Sequence, residues 1–176
     1  MALYGFAIFD AGFPESTKGV DLGISSNEVF HLEELPKRIL IVGGGYIAME
    51  FAGIFNALGS EVTLVNRSET ILRTYEQDVV ERLPPILQAR GMDLQFGAQI
   101  RSIAKNDDGS LTVALTNGMT KEVDQVLVAT GRHPNSEGLG LETAGIATGR
   151  GGVIPVDAYS KTSCDSVYAV GDVTDR

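Results

Sequence analysis

Cysteine is nearly absent from this sequence: Cys164 is the one thiol among 176 residues. That excludes an internal disulfide, a Cys-X-X-Cys redox pair and a cysteine-built zinc site, and it fits a reducing compartment, so the expected location is cytoplasmic. Long apolar runs are missing too. None approaches the roughly 20 residues a membrane helix needs, and residues 1–9 lack the basic flank of a signal peptide, so no membrane partner is expected. Basic residues are in deficit: 14 Lys and Arg against 23 Asp and Glu leave a net charge of −9. This argues against nucleic acid as a partner, while leaving room for a local basic pocket. With no low-complexity tract, 43% hydrophobic and 21% charged residues describe a globular chain that buries a core.

Glycine, by contrast, is abundant. The 21 glycines follow no period and gather at Gly43–Gly45, Gly131, Gly138–Gly140 and Gly149–Gly152, which marks turns where backbone comes close to something. After an opening with Tyr4, Phe6, Phe9 and a turn at Gly12–Thr17, the run Ser25-Ser26-Asn27-Glu28 reads as a short capped helix. An apolar strand at Ile39–Val42 then leads through three glycines into a helix whose apolar stripe is Ile47, Phe51, Ile54, Phe55 and Leu58. A second strand, Val62–Val65, ends at Asn66-Arg67. Residues 76–90 read as a helix with a break near Leu83, because Pro84 and Pro85 cannot donate backbone hydrogen bonds. A third strand is predicted at 92–96, followed by three alternating segments at 99–104, 110–116 and 120–123, with Asn117-Gly118 as a hairpin signal. The unbroken apolar run Val126–Ala129 belongs in a sheet covered on both faces. The expected class is therefore α/β: a Rossmann-like parallel sheet with helices on both faces and a three-stranded antiparallel β-meander as crossover.

Gly43-Gly44-Gly45-Tyr46-Ile47-Ala48 fits Gly-X-Gly-X-X-Ala between a strand and a helix. There Gly43 turns tightly, Gly45 admits a pyrophosphate to the backbone, and Ala48 packs helix on strand. The amides at the helix N-terminus, Tyr46 and Ile47 among them, supply donors for the phosphates. An NADH-binding fold puts a carboxylate at the end of the second strand. Here stand Asn66, Arg67 and Ser68, with Arg73 a short loop later, and arginines there offer charge-assisted bonds to a 2′-phosphate. NADPH is the expected cofactor, with Glu69 in the same loop counting slightly against it. Tyr46 and Glu50, four apart, share a helix side. Two readings stand for them: a pair facing the nicotinamide, or an exposed aromatic and a solvated acid.

Three stretches together carry a resemblance: Ile41 to Phe55 around the fingerprint, Val128-Ala129-Thr130-Gly131-Arg132-His133-Pro134-Asn135, and Tyr168-Ala169-Val170-Gly171-Asp172-Val173-Thr174. Residues 38–176, about four fifths of the chain, resemble the NADPH-binding domain of glutathione reductase and its close relative trypanothione reductase, within the flavin-dependent pyridine nucleotide disulfide oxidoreductases. The resemblance implies that Tyr46 is a lid over the flavin and Glu50 the acid near the nicotinamide. Arg67 and Arg73 become the 2′-phosphate arginines, and Gly131 backbone packed against the cofactor. Asp172 becomes an FAD contact, its alternative being a helix N-cap, and His133 a loop residue.

The resemblance also implies what is lacking. No redox cysteine pair is present and no second Gly-X-Gly-X-X-Gly precedes Gly43, so FAD belongs to a full-length parent, and residues 1–18 show no Ala-Thr-Gly-Gly strand. The expected organisation is a lead-in at 1–36, an NADPH-binding domain at 37–160, and at 161–176 the start of a return to an absent FAD domain. Catalysis is expected only in the parent, as an NADPH-dependent disulfide oxidoreductase. The alternatives are a free-standing nucleotide-binding module without redox chemistry and an NADH-using, dihydrolipoamide dehydrogenase-like domain. Self-association through exposed former domain interfaces is a further expectation.

Overall fold

The computed structural model describes residues 2–4, 7–8 and 17–175. In chain order the elements are β1 (Ala2–Tyr4), β2 (Ala7–Ile8), β3 (Arg38–Val42), α1 (Tyr46–Ala57), β4 (Glu61–Asn66), α2 (Gln77–Ala89), β5 (Asp93–Phe96), β6 (Ile100–Lys105), β7 (Leu111–Leu115), β8 (Thr120–Val123), β9 (Gln125–Val128), β10 (His133–Pro134) and β11 (Tyr168–Val170). Short 3-10 turns lie at Val20–Leu22, Glu28–His31 and Arg150–Gly152. The described residues form two compact units, one of residues 17–131 and one of 2–4, 7–8 and 132–175. The turn expected at Gly12–Thr17 lies, up to residue 16, outside the described residues.

The larger unit is built on a four-stranded parallel sheet in the order β5-β4-β3-β9. The inner strands β3 and β9 carry unbroken apolar runs, Ile39–Val42 and Val126–Val128, because both faces are covered there. Ile39, Ile41, Leu64 and Leu127 point into a core shared with α1 and α2. Leu40, Val42, Val65, Val126 and Val128 point into a second core shared with β6, β7 and β8. The α/β class with a parallel and an antiparallel sheet is as expected, but the layering differs. Both α-helices lie on one face, and the antiparallel meander β6-β7-β8 covers the other.

Connection handedness explains the difference. The crossovers β3-α1-β4 and β4-α2-β5 step the same way along the sheet, so right-handed connections put both helices on one face. The passage from β5 back to β9 steps the opposite way and must cross the other face, and the meander makes that passage. Alternation in β7 follows: Leu111, Val113 and Leu115 are buried, with Thr112 and Ala114 between them half-buried.

α1 buries Ala48, Ala52 and Phe55, with Ile47 and Phe51 packed on the same core, so part of the stripe read from the sequence faces inward; Ile54 and Leu58 are instead exposed. Two alanines let the helix lie close to the sheet, which turns the larger side chains at 54 and 58 outward. α2 also departs from expectation, running unbroken through Pro84 and Pro85. The prolines remove two intrahelical bonds, but Val80, Leu83 and Leu87 pack on the same core on either side of the interruption. The capped helix expected at 25–28 is a single 3-10 turn. The Glu28 carboxylate accepts the Ser25 backbone N–H at 2.8 Å and the Ser25 hydroxyl, which hold its carboxyl below the usual range.

The N-terminal ends of the parallel strands are tied by ion pairs. Asp124, just before β9, accepts the Arg38 backbone N–H at 2.8 Å and Arg38 Nη2 at 2.6 Å, while Arg38 Nη1 donates to Glu122 at 2.8 Å. Lys121 of β8 pairs with Asp93, the first residue of β5, at 2.6 Å. On the outer edge of β9, Ile24 supplies a partial fifth strand: its N–H donates to Val126 O and its carbonyl accepts the Val128 N–H, each at 2.8 Å.

In the smaller unit β1 pairs in parallel with β11, and β2 pairs antiparallel with β10, which contains His133, expected in a loop. Its core is Leu141, Ile146, Ile154, Val167, Ala169 and Val173, with Val156 and Cys164 packed against it.

Candidate functional site

The β3–α1 turn is held by backbone proximity. Gly43 has φ +137°, and a Cβ there would collide with the Ala129 carbonyl oxygen, so glycine is required on both conformational and steric grounds. Its N–H donates to Val65 O at 2.9 Å, tying the turn to β4. Ala48 is fully buried, 3.5 Å from where a Gly43 Cβ would stand. Gly45 behaves differently. It is the N-cap of α1 in an extended conformation, no side chain caps the helix, and a Cβ added there would meet nothing within 4 Å. The first bond within the helix runs from Met49 N–H to Gly45 O. The opening turn of α1 therefore presents a positive dipole end toward the glycine turn.

Beyond β4 the chain makes a strap. The Asn66 side-chain amide donates to Ser68 O at 3.0 Å and Thr70 O at 2.9 Å, folding the loop back on itself. Gly44 leaves room for that side chain, since a Cβ there would lie 2.6 Å from Asn66 Nδ2. Ile71 and Leu72 are buried anchors, and the Leu72 N–H donates to Gly44 O at 2.6 Å, fastening the strap to the glycine turn. Leu72 sits at φ 50°, a left-handed conformation that a leucine adopts only when its surroundings enforce it. Arg67 and Arg73, on either side of these anchors, stay exposed and form no ion pair or hydrogen bond among the described residues. The Glu69 carboxylate leans over Gly97, whose φ is +65°, and does not line the cavity.

These elements surround a cavity of about 480 Å³ at the C-terminal ends of the parallel strands. That volume lies within the range of small-molecule sites, and the place is where open α/β sheets bind ligands, beside the point where strand order reverses. Of the residues predicted from sequence, Gly45, Tyr46, Asn66, Arg67, Ser68 and Arg73 all line it. Gly43 is buried behind the turn and Ile47 packs into the helical-face core. Glu50 is exposed one turn along α1, outside the lining, and Gly131 follows the lining residue Thr130. Asp172 belongs to the smaller unit, where its carboxylate pairs with Arg132 in a turn after β11 and does not head a helix. The lining contains no carboxylate; its charged side chains are Arg67 and Arg73. A chain of net charge −9 thus carries a basic cavity. Sequence reading missed Gly44, Thr74, Tyr75 and Gln99 as lining residues. Taking the residues just past each parallel strand's C-terminal end would have found Gln99.

The sequence matches the pyridine nucleotide-disulphide oxidoreductase family over residues 5–176. The chain belongs to that family. Within it, glutathione reductase of Burkholderia cepacia is 48% identical over 158 residues, covering 90% of this chain and 35% of the relative. Trypanothione reductase of Leishmania donovani is 47% identical over 161 residues, covering 90% and 33%. Among solved structures, a Cu(II) complex of the HOCl-induced flavoprotein disulfide reductase RclA from Escherichia coli superposes with a TM-score of 0.87 at 31% identity, covering 98% of this chain and 40% of that one. This member of the pyridine nucleotide-disulphide oxidoreductase family spans about a third of the length of these two reductases. Among the described residues no helix is long and apolar enough to cross a membrane.

Proposed function

We propose that the cavity of the larger unit binds NADPH and that the chain is the NADPH-binding part of a glutathione-reductase-like flavoprotein disulfide reductase of the cytoplasm. The observation that carries this reading is the pair of unpartnered arginines after β4 beside an uncapped glycine turn, in a lining without a carboxylate. The residues fit the cofactor. Gly45 leaves the space that a diphosphate needs, the first-turn amides of Tyr46 and Ile47 donate to it, and Arg67, Ser68 and Arg73 take the 2′-phosphate. Asn66 holds the arginine loop in place more than it touches the ligand, since its amide is spent on Ser68 and Thr70.

Bound NADPH supplies a hydride. Tyr46, 41% exposed at the head of α1, and Glu50 one turn on are assigned to the nicotinamide end, and Gly131 beyond Thr130 to the backbone approach on that side. Asp172 is assigned to FAD in the full-length protein, where flavin and disulfide chemistry reside. With Cys164 as its one thiol, the chain alone does not cycle a disulfide; sustained NADPH oxidation with glutathione disulfide in metal-free buffer would contradict that.

Calorimetric titration with NADPH and NADH tests the reading. One charge-assisted bond contributes about 1.5–3 kcal/mol, so Arg67→Ala should weaken NADPH roughly ten- to a hundredfold and leave NADH unchanged. Equal losses for both nucleotides would mean that Arg67 supports the loop and does not read the phosphate.

A further inference from the structure

We propose that the groove between the 28–36 segment and the C-terminal half of α1 is a docking site for a basic amphipathic helix of a partner protein. The groove lies within the larger unit, on its helical face, and shares no lining residue with the cavity beside Arg67 and Arg73. Its volume is about 300 Å³. One wall carries Phe30 and Leu35 and the other Ile54 and Leu58, with exposures of 78%, 48%, 49% and 60%. Single exposed apolar side chains are ordinary, but four lining one groove form a patch of the kind that marks an interaction site.

The groove is preformed. Phe30 meets Phe51 edge-on with ring centroids 5.7 Å apart, which holds one end. At the other end Ser60 Oγ donates to Pro36 O at 2.6 Å and the Glu61 N–H donates to Lys37 O at 2.7 Å, fastening the 28–36 segment to the chain just past α1. Val29 and Phe55 are buried and form the floor. Walls fixed in this way lose little freedom when a ligand enters.

Shape and charge name the occupant. A helix on one side and a 3-10 turn with its following loop on the other bound the groove, so an extended segment finds no strand edge to pair with. A helix can lay an apolar row into it, against the ridge that Ile54 and Leu58 make four positions apart on α1. The charges lining the groove are of one sign: Glu33 and Glu34, whose carboxylates form no ion pair or hydrogen bond among the described residues. His31 and Lys37 flank the segment outside the lining. The last turn of α1 holds no basic residue, so the negative end of its dipole has no cation in the same turn. Lys or Arg beside the apolar row of a partner helix answers all three. A second copy of the chain does not, because a two-fold contact sets the same carboxylates against each other in a chain of net charge −9.

The test is fluorescence anisotropy on the full chain with a labelled synthetic helix of about 14 residues, roughly four turns, carrying Leu along one face and Lys on its flanks. A twin with Glu for every Lys and a scrambled Lys peptide are the controls, and both should bind more weakly than the Lys helix. Glu33→Lys combined with Glu34→Lys should weaken the Lys helix roughly three- to thirtyfold and strengthen the Glu twin. Ile54→Gln and Leu58→Gln should each weaken it roughly ten- to a hundredfold, with Leu58→Met restoring it and the melting temperature unchanged, since both side chains are exposed. Equal binding of the Lys helix and either control overturns the proposal, and so does no binding at all. Binding that ignores Ile54→Gln and Leu58→Gln would put the peptide elsewhere on an acidic chain and overturn it as well. Wild-type dimers in sedimentation that Leu58→Gln splits would give the groove to a second copy instead.

Discussion

The two ends of the parallel sheet treat charge in opposite ways. At the N-terminal ends of the strands, Arg38 is engaged by Asp124 and Glu122, and Lys121 by Asp93, so every one of these cations has a carboxylate within 2.8 Å. At the C-terminal ends, Arg67 and Arg73 have none among the described residues, and α1 begins without a capping side chain. The lesson is that partnering, more than residue type, separates a structural arginine from one held for a ligand. The closed end fixes where strands start; under the reading proposed above, the arginines of the open end are kept for a ligand.

The sharpest break of this comparison is at the glycine turn of the open end. Gly43→Ala drives a Cβ into the Ala129 carbonyl at a positive φ, and the expected loss is on the order of 3 kcal/mol or more, read as a large fall in melting temperature. A variant that melts like the wild type would show that the turn adapts. Next in size is an exchange of readouts between the two ends. Arg67→Ala should change nucleotide affinity and leave the melting temperature alone, whereas Arg38→Ala should do the reverse, and thermal melts run beside titrations on both variants check it. If Arg38→Ala also lost NADPH, the ends would be coupled and the comparison too simple.

A smaller effect distinguishes the ends by pH. The Arg38 side chain, by hydrogen bonding, holds the Asp124 carboxyl below its ordinary value of 3.8. A carboxyl depressed in the folded state contributes stability at neutral pH, and that contribution is lost as pH falls below about 4. Asp124→Asn should therefore lower the melting temperature at pH 7 and narrow the gap to wild type on acidification; a constant gap would assign the effect to packing. Smallest is salt. Exposed guanidinium–phosphate contacts are screened, so raising ionic strength should erode the NADPH preference gradually, and a preference unmoved by salt would point to shape.

Much of the open end was legible in the sequence because its determinants are local. The glycine fingerprint, the run Asn66-Arg67-Ser68 and Arg73 lie within one strand-turn-helix-strand unit, where spacing alone fixes the neighbourhood. What was not legible depends on distant partners. Ala48 followed from the fingerprint, but the burial of Ala52 in place of Ile54 follows from how closely α1 approaches the sheet, which no helical period encodes. The unbroken α2 depends on Val80, Leu83 and Leu87 finding the same core. Tyr75 and Gln99 are 24 positions apart and line one cavity because β4 and β5 are neighbours.

The pairing of Ile24 with β9 has a kinetic consequence. Residue 24 joins residue 127 across roughly a hundred positions, among the longest loops this chain has to close, and such contacts form late because loop entropy must be met first. Until it closes, β9 presents an unpaired rim of Gln125–Val128, two hydrogen bonds short and almost wholly aliphatic. A nascent or refolding molecule is therefore most adhesive along that strand. Aggregation during refolding should track the integrity of Ile24's segment and not that of the cavity beside Arg67 and Arg73.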